Sequence, residues 1–286
     1  MTRLSPVSRL IIAFALIAIA VAWVPLSAQY HRLYDTVYRL TWLERDLEHL
    51  NAHYGVRITT DLTPDDYRPE WLDDDTGQLA TGSKIVLTSN ADDFARFVRL
   101  ITPEIKRYAP ALIRQHLTRV YCLDKLTLYD APFGGTYNIA QSSLYLLNKN
   151  DFSLSSWMKE TFHHELSSML MKKQGFDEGA WRQAAGLAFR YQQDENPWFQ
   201  WMYLRGYVDP VADTTVFFKR GLLRHYSETG VENDFNSYAQ FVFMRPDTMQ
   251  SLIAQYPPIA RKYQVFKDFY LGIDPGLAPV FAAIDG

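Results

Sequence analysis

Hydrophobic residues recur with helical spacing in the segment that follows residue 28. From Gln29 to His53 an aromatic or aliphatic residue occurs every three or four positions, which predicts one long amphipathic helix that stops at Gly55. The residues of this apolar stripe are Tyr30, Tyr34, Val37, Tyr38, Leu40, Leu43, Leu47 and Leu50.

Short hydrophobic runs bounded by turn residues predict a small sheet in the first half of the chain. The predicted strands are Val56–Thr60, Lys84–Thr88, Leu117–Tyr129 and Ser143–Leu147. Asp130–Thr136 contains a proline and a Gly-Gly pair and predicts a turn. A helix is expected to begin after Asn90, and Pro103 and Pro110 to break or restart helices. Beyond residue 153 the chain is predicted to be mostly helical, up to Pro275 and a loose tail.

The helix predicted over Ser153–Lys173 carries His163, His164 and Glu165 in succession. Residues four apart share a helix face, so histidines at i and i+4 can bind one Zn²⁺ while a glutamate at i+1 activates the metal-bound water. His164 and Glu165 have the first part of this spacing. The i+4 residue, however, is Ser168, and a serine hydroxyl is a poor zinc ligand.

The segment ETFHHELSSML, Glu160–Leu170, resembles the HExxH helix of the zincin metallopeptidases, especially their relatives in the bacterial envelope. In those proteins a mixed sheet precedes this helix, and a later helix with an EDFAE-like sequence supplies a third, carboxylate ligand. ENDFNSYAQF, Glu232–Phe241, resembles that later motif. The resemblance covers roughly Leu117–Met244. It implies an α+β, zincin-like fold, with a small mixed sheet, an active-site-type helix and a mainly helical C-terminal half.

Carried over to this chain, the resemblance implies that His164 is the first zinc ligand and Glu165 the general base. It places Ser168 where the second histidine is expected. It also places Ser237 where the third ligand is expected, if the Asp-Phe pairs of the two motifs are aligned. Two of the three expected ligands are therefore serines.

Two explanations of these serines remain open. In the first, neighbouring side chains rebuild a zinc site and the protein hydrolyses a peptide or related amide. The candidates are His163 or His164, Glu232 or Asp234, and Gln240, with His225 as an additional ligand or donor. Adjacent histidines point about 100° apart on a helix, so one metal is not expected to bind both. In the second, zinc is absent and the protein is a pseudo-peptidase, a binding or scaffold subunit.

Aromatic residues are concentrated just beyond the motif helix. The cluster consists of Trp198, Phe199, Trp201, Met202, Tyr203 and Tyr207. Such clusters most often fill an interior, so core packing is expected, with a substrate groove as the alternative.

Charge and composition narrow the classes of partner. The chain has 286 residues and a net charge of -3, and it lacks the basic field that nucleic-acid binding requires. Its single cysteine, Cys122, excludes an internal disulfide. The expected partners are a peptide or protein substrate or an envelope protein.

The first 28 residues have the pattern of a targeting segment. Arg3 and Arg9 precede an apolar run, Leu10–Val24, and Ala28 is a candidate cleavage site. This pattern predicts a cleaved signal peptide or a retained membrane anchor, and in either case an extracytoplasmic location. Residues 29–286 are expected to form one zincin-like domain, with a possible N-terminal subdomain at 29–116.

Overall fold

The predicted sheet is present and is mixed, in a computed structural model that describes residues 29–149, 154–186 and 189–286. Its strands are β1 (Arg57–Thr59), β2 (Lys84–Leu87), β3 (Arg119–Leu128), β4 (Ala131–Pro132), β5 (Gly135–Asn138) and β6 (Ser143–Leu147). The order is β1-β3-β6-β5, and β2 and β4 also pair with β3. β1 and β6 run parallel to β3, whereas the other pairings are antiparallel.

Helices occupy most of the remaining chain. They are α1 (29–41), α2 (Leu43–His49), α3 (Ala91–Ile105), α4 (Pro110–His116), α5 (Ser155–Lys173), α6 (Glu178–Ala185), α7 (Gln192–Glu195), α8 (Phe199–Leu204), α9 (Thr215–Phe218), α10 (Val231–Met244), α11 (Pro246–Gln255), α12 (Pro257–Ile273) and α13 (Ala278–Asp285). The expected α+β class with a small mixed sheet is confirmed. The predicted signal peptide or anchor, 1–28, lies outside the described residues.

The alternation of side chains along β3 divides the core into two layers. Val120 and Cys122 point into the larger cluster, between the sheet and the helices. Tyr121 and Leu123 point to the opposite face and pack in a smaller cluster with Trp71. The larger cluster determines where the motif helix α5 lies, because α5 packs into it against the sheet.

Helix α5 is surrounded on nearly every side, by β5, β6, α3 and, most extensively, α10. Every residue from Glu160 to Met171 is buried, polar ones included. A buried polar side chain needs a hydrogen-bond partner. The partners of His163 and Ser168 therefore show what each of these side chains does.

Three local predictions differ from the structure. The helix predicted over Gln29–His53 is interrupted by a turn at residue 42 and ends in a π-helical segment, Leu50–Tyr54. Pro103 lies inside α3 without ending it, whereas Pro110 begins α4, where its missing N–H costs nothing. The tail beyond Pro275 is not loose, because α13 buries Phe281 and Ile284.

Most of the apolar stripe of α1 points away from the protein, and only Tyr38 among its residues in α1 is buried. Tyr30, Leu33, Tyr34, Val37 and Leu40 are all exposed, and Leu40 retains 70% of its accessible surface. Within the described ranges, no helix is both long and apolar enough to cross a lipid bilayer.

Polar side chains attach the opposite face of α1 to α3. Arg99 of α3 binds the buried Asp35 at 2.7 Å. Arg39 and Thr36 bind Asp92, also of α3, at 2.6 and 3.0 Å. Polarity is thus inverted relative to an ordinary surface helix.

Candidate functional site

A cleft of about 310 Å³ lies where α5 meets the start of β5. Its walls come from α5, β5, α8, α10 and the segment just before α10. The lining residues are Phe133, Gly134, Gly135, Trp157, Thr161, His164, Glu165, Tyr203, Leu204, Arg224, Tyr226 and Gln240. Of the predicted site residues, the cleft brings together His164, Glu165 and Gln240.

His164 and Glu165 lie in the cleft but are almost completely buried, at 9% and 8% exposure. Burial lowers the pKa of His164 to about 4, so the imidazole is neutral at pH 7. Burial, together with the nearby charge of Glu232, raises the pKa of Glu165 to about 8. At neutral pH Glu165 is therefore mostly protonated and can donate a hydrogen bond.

The Gly-Gly pair lets the sheet approach α5 closely. A Cβ atom at Gly135 would lie 2.8 Å from Cγ of Glu165 and 2.8 Å from Cγ2 of Thr161. A Cβ atom at Gly134 would lie 2.6 Å from the ring of Trp157. The sequence indicated a turn here, and only the structure shows that these glycines shape the floor of the cleft.

The two serines at the expected ligand positions are buried and engaged with other groups. Nδ2 of Asn236 donates a hydrogen bond of 2.6 Å to Oγ of Ser168. Oγ of Ser237 donates to the carbonyl of Asn233 at 2.8 Å and accepts from Oγ of Ser227 at 2.9 Å. The first bond joins α5 to α10. The other two hold Ser237 against α10 itself and against the segment that precedes it.

His163 lies on a different face of α5 from His164 and does not reach the cleft. Its Nδ1 is 2.7 Å from the hydroxyl of Tyr108, its Nε2 is 3.2 Å from Glu104, and its ring stacks on Phe243. Burial lowers the pKa of His163, so the neutral ring accepts from Tyr108 and donates to Glu104. Its ring is thus part of the packing between α3, α5 and α10.

Glu232 and Asp234, the two acidic candidates of α10, also lie in different surroundings. Glu232 is near the site helix, where it accepts from the hydroxyl of Tyr137 at 2.9 Å and pairs with Lys172 at 3.2 Å. Asp234 is fully buried and pairs with Lys262, which is equally buried. Residues two apart on a helix are separated by about 200° around its axis, so Glu232 and Asp234 lie on opposite faces of α10.

His225 also makes its contacts outside the cleft. Its Nε2 lies 3.4 Å from Glu228, and its ring stacks on Phe217. The neighbouring Tyr226 lines the cleft instead, with its ring 6.1 Å from that of His164.

The aromatic cluster at 198–207 does not fill the core, because α8 has no buried residue and Trp198 is 71% exposed. Tyr203 and Leu204 line the cleft, while Trp201 donates to the carbonyl of Tyr129 at 3.1 Å. The expectation of core packing is wrong. Part of the cluster therefore borders the cleft, and Trp201 attaches it to the turn that precedes β4.

The donor set does not fit a three-ligand zinc site. Of the three positions implied by the zincin resemblance, only His164 has a good zinc ligand, and the hydroxyls of Ser168 and Ser237 already have partners. Among the described residues, no group of three or more histidine, cysteine, aspartate or glutamate side chains could hold a metal ion.

Comparison with known proteins supports the fold. No protein-family model and no curated protein matches the chain. A crystal structure from Bacteroides caccae, described provisionally as a zinc-binding metallo-peptidase, is similar with a TM-score of 0.50 and 14% sequence identity. The match covers 88% of this chain and 92% of that one. The chain has a metallopeptidase-like fold.

Proposed function

We propose that this protein is a pseudo-peptidase of the bacterial envelope, which binds peptide segments in the cleft without hydrolysing them. One observation carries the proposal: the residues at the second and third ligand positions are serines, and their hydroxyls are hydrogen-bonded to α10 and its neighbours. One imidazole alone binds zinc weakly.

The cleft has features of a binding site. Trp157, Tyr203 and Tyr226 supply apolar surface, while Gln240 and Arg224 supply polar groups that can orient a ligand. A concave, aromatic site with a few polar groups suits an extended peptide segment, whose side chains and amides need both kinds of contact.

Peptide hydrolysis is the second candidate function, and one observation favours it. Strongly shifted pKa values are concentrated at functional sites, and the pKa of Glu165 is raised to about 8 within the cleft. Glu165 would be the general base in its ionised form, which predominates above about pH 8. Zinc would need His164 together with side-chain oxygens of Glu232 or Gln240.

Metal content separates the two candidates. We expect the purified full chain, equilibrated with zinc and then dialysed, to contain far less than one zinc per chain by elemental mass spectrometry. Ser168→His combined with Ser237→Glu restores the ligand set implied by the zincin resemblance and should gain about one zinc per chain. Labelled short peptides should bind the unmodified chain equally well with and without a chelator, as measured by fluorescence anisotropy.

The opposite pattern supports hydrolysis. Stoichiometric zinc that is lost in His164→Ala, with cleavage of fluorogenic peptides that is lost in Glu165→Gln, would overturn the pseudo-peptidase proposal. Circular dichroism melting of each variant shows whether it is folded.

We also propose that the protein lies at the outer surface of a membrane, with the apolar face of α1 in the lipid headgroup region. The exposed stripe includes two tyrosines and two leucines, and it closely follows the apolar run at 10–26 in the sequence. Tyrosine and leucine are suited to this interface, where one side of a helix is apolar and the other wet.

Fluorescent labels on α1 test this location. Leu33→Cys and Leu40→Cys place labels about 10 Å apart along the helix axis, and the native Cys122 is buried. In phosphatidylethanolamine–phosphatidylglycerol vesicles containing the full chain, lipid-borne quenchers should quench both labels. They should spare a label at the exposed Gln264→Cys. Quenching at Leu33 alone, or at neither site, would contradict a helix lying in the membrane surface.

A further inference from the structure

Two arginines share one buried glutamate beside the cleft. Glu160 of α5 is 3% exposed; its Oε1 accepts from Nε and Nη2 of Arg245 at 2.9 and 2.7 Å, and its Oε2 accepts from Nη2 of Arg224 at 2.7 Å. Both guanidinium groups lie over the ring of Phe241, at 5.2 and 5.4 Å from its centroid. The carboxylate and the ring hold both guanidinium groups in place.

The group carries one excess positive charge. Two guanidinium ions surround one carboxylate, and arginine remains protonated at all ordinary pH values. Among the described residues that line the cleft, Arg224 is the only lysine or arginine, and Arg245 does not line it. The excess charge is therefore available to a ligand through Arg224.

Arg224 also has hydrogen-bonding capacity to spare. A guanidinium has five N–H donors, and across the described residues Arg224 donates only to Glu160. Its side chain is 29% exposed, so a bound ligand would exclude much of the remaining water. A partly buried, pre-positioned guanidinium binds a carboxylate strongly, because the planar fork matches its two oxygens.

We infer that Arg224 binds a carboxylate of the peptide ligand, so that the cleft selects peptides with a free C-terminus or an acidic side chain. This inference rests on the proposed peptide-binding function. Arg245 has the complementary role of a positioning residue: it neutralises Glu160 and leaves Arg224 free to act on the ligand.

Peptide pools that differ only in their carboxylates test the inference, and Arg182→Gln is the matched control, because Arg182 pairs with Asp194 at 2.8 Å and does not line the cleft. The probes are random short peptides that carry an uncharged, carboxylate-free fluorophore and a free C-terminus, the same pool amidated, and both pools made without aspartate and glutamate. With the full chain, removal of the carboxylate that is recognised should weaken binding about tenfold or more. Arg224→Gln should bind all pools equally weakly, whereas Arg224→Lys should recover part of the preference and Arg182→Gln should keep it. Arg245→Gln should reduce the preference in part, because Glu160 then neutralises Arg224.

Each outcome decides one question. A preference lost only on amidation identifies the terminal carboxylate, and one lost only in the pools without acidic residues identifies a side chain; both support the inference. Equal binding of all pools by the unmodified chain overturns it while leaving peptide binding intact. Equal loss of preference in Arg224→Gln and Arg182→Gln overturns the direct contact. If no pool binds, the proposed function itself fails.

Discussion

Replacing Lys262 by methionine is expected to lower the free energy of unfolding by about 3–5 kcal/mol, because it leaves the carboxylate of Asp234 buried without a cation. Both side chains are fully buried. Asp234 also accepts hydrogen bonds from Trp181 at 3.0 Å and Tyr191 at 2.6 Å. Burial raises the pKa of Asp234 and lowers that of Lys262, so much of the attraction within the pair only offsets desolvation.

Urea unfolding at neutral pH measures this effect. Asp234→Asn should be destabilised as well, and the double variant less than the sum of the two single variants. Lys267→Met is a matched control on the same helix, because its partner Asp285 is 40% exposed and such surface pairs contribute at most about 1 kcal/mol. A loss below about 1 kcal/mol for Lys262→Met would refute the prediction. A loss of zinc from Asp234→Asn at unchanged stability would make Asp234 a ligand after all.

Acidification is expected to remove about 3 kcal/mol that the ionised Glu104 contributes to stability. Burial opposes this ionisation, but the hydrogen bond from His163 and the cations of Lys159 and Arg107, at 2.9 and 2.6 Å, outweigh it. The pKa of Glu104 falls from 4.5 to about 2. Because the folded pKa is the lower one, the contribution is complete above pH 4.5 and is lost as the pH falls toward 2.

The comparison with Glu104→Gln isolates this contribution. At pH 7 the unmodified protein should be more stable than the variant by about 3 kcal/mol, and urea titrations at decreasing pH should show this difference shrinking through the window from 4.5 to about 2. Glu70→Gln serves as control, since Glu70 is exposed and pairs with Arg68 at 3.3 Å. A difference that is constant across the window would show that Glu104 is not held ionised by its neighbours.

Asp234 was a sequence candidate for zinc binding, and Glu104 is the hydrogen-bond partner of another candidate, His163. Asp234 and His163 both have the right chemistry for a ligand, and both lie on the helices that form the cleft. In the structure each is buried beside a partner of its own, away from Glu165. Loss of stability, rather than of metal, is the expected consequence of changing either one.

Local pattern alone predicted the short strands and the helix that carries the motif, whereas the mixed sheet was implied by the zincin resemblance. The hydrophobic runs of β3 and β6 and the glycine turn between them depend only on near neighbours in sequence. The 100° step of a helix likewise predicted that His163 and His164 would diverge. It could not tell which of the two would face the cleft, because that depends on whether α3 or α10 covers a given side of α5.

Contacts between elements that are distant in sequence determined the exposed face of α1 and the role of Arg224. The apolar stripe of α1 is exposed because Asp35 and Arg39 bind residues of α3, more than fifty positions away. Arg224 is a candidate binding residue because it shares the carboxylate of Glu160, 64 positions earlier in the sequence, with Arg245. Sequence periodicity determines which side chains share a face of one element. Which face is buried, and against what charge, is set by contacts between elements that no local pattern encodes.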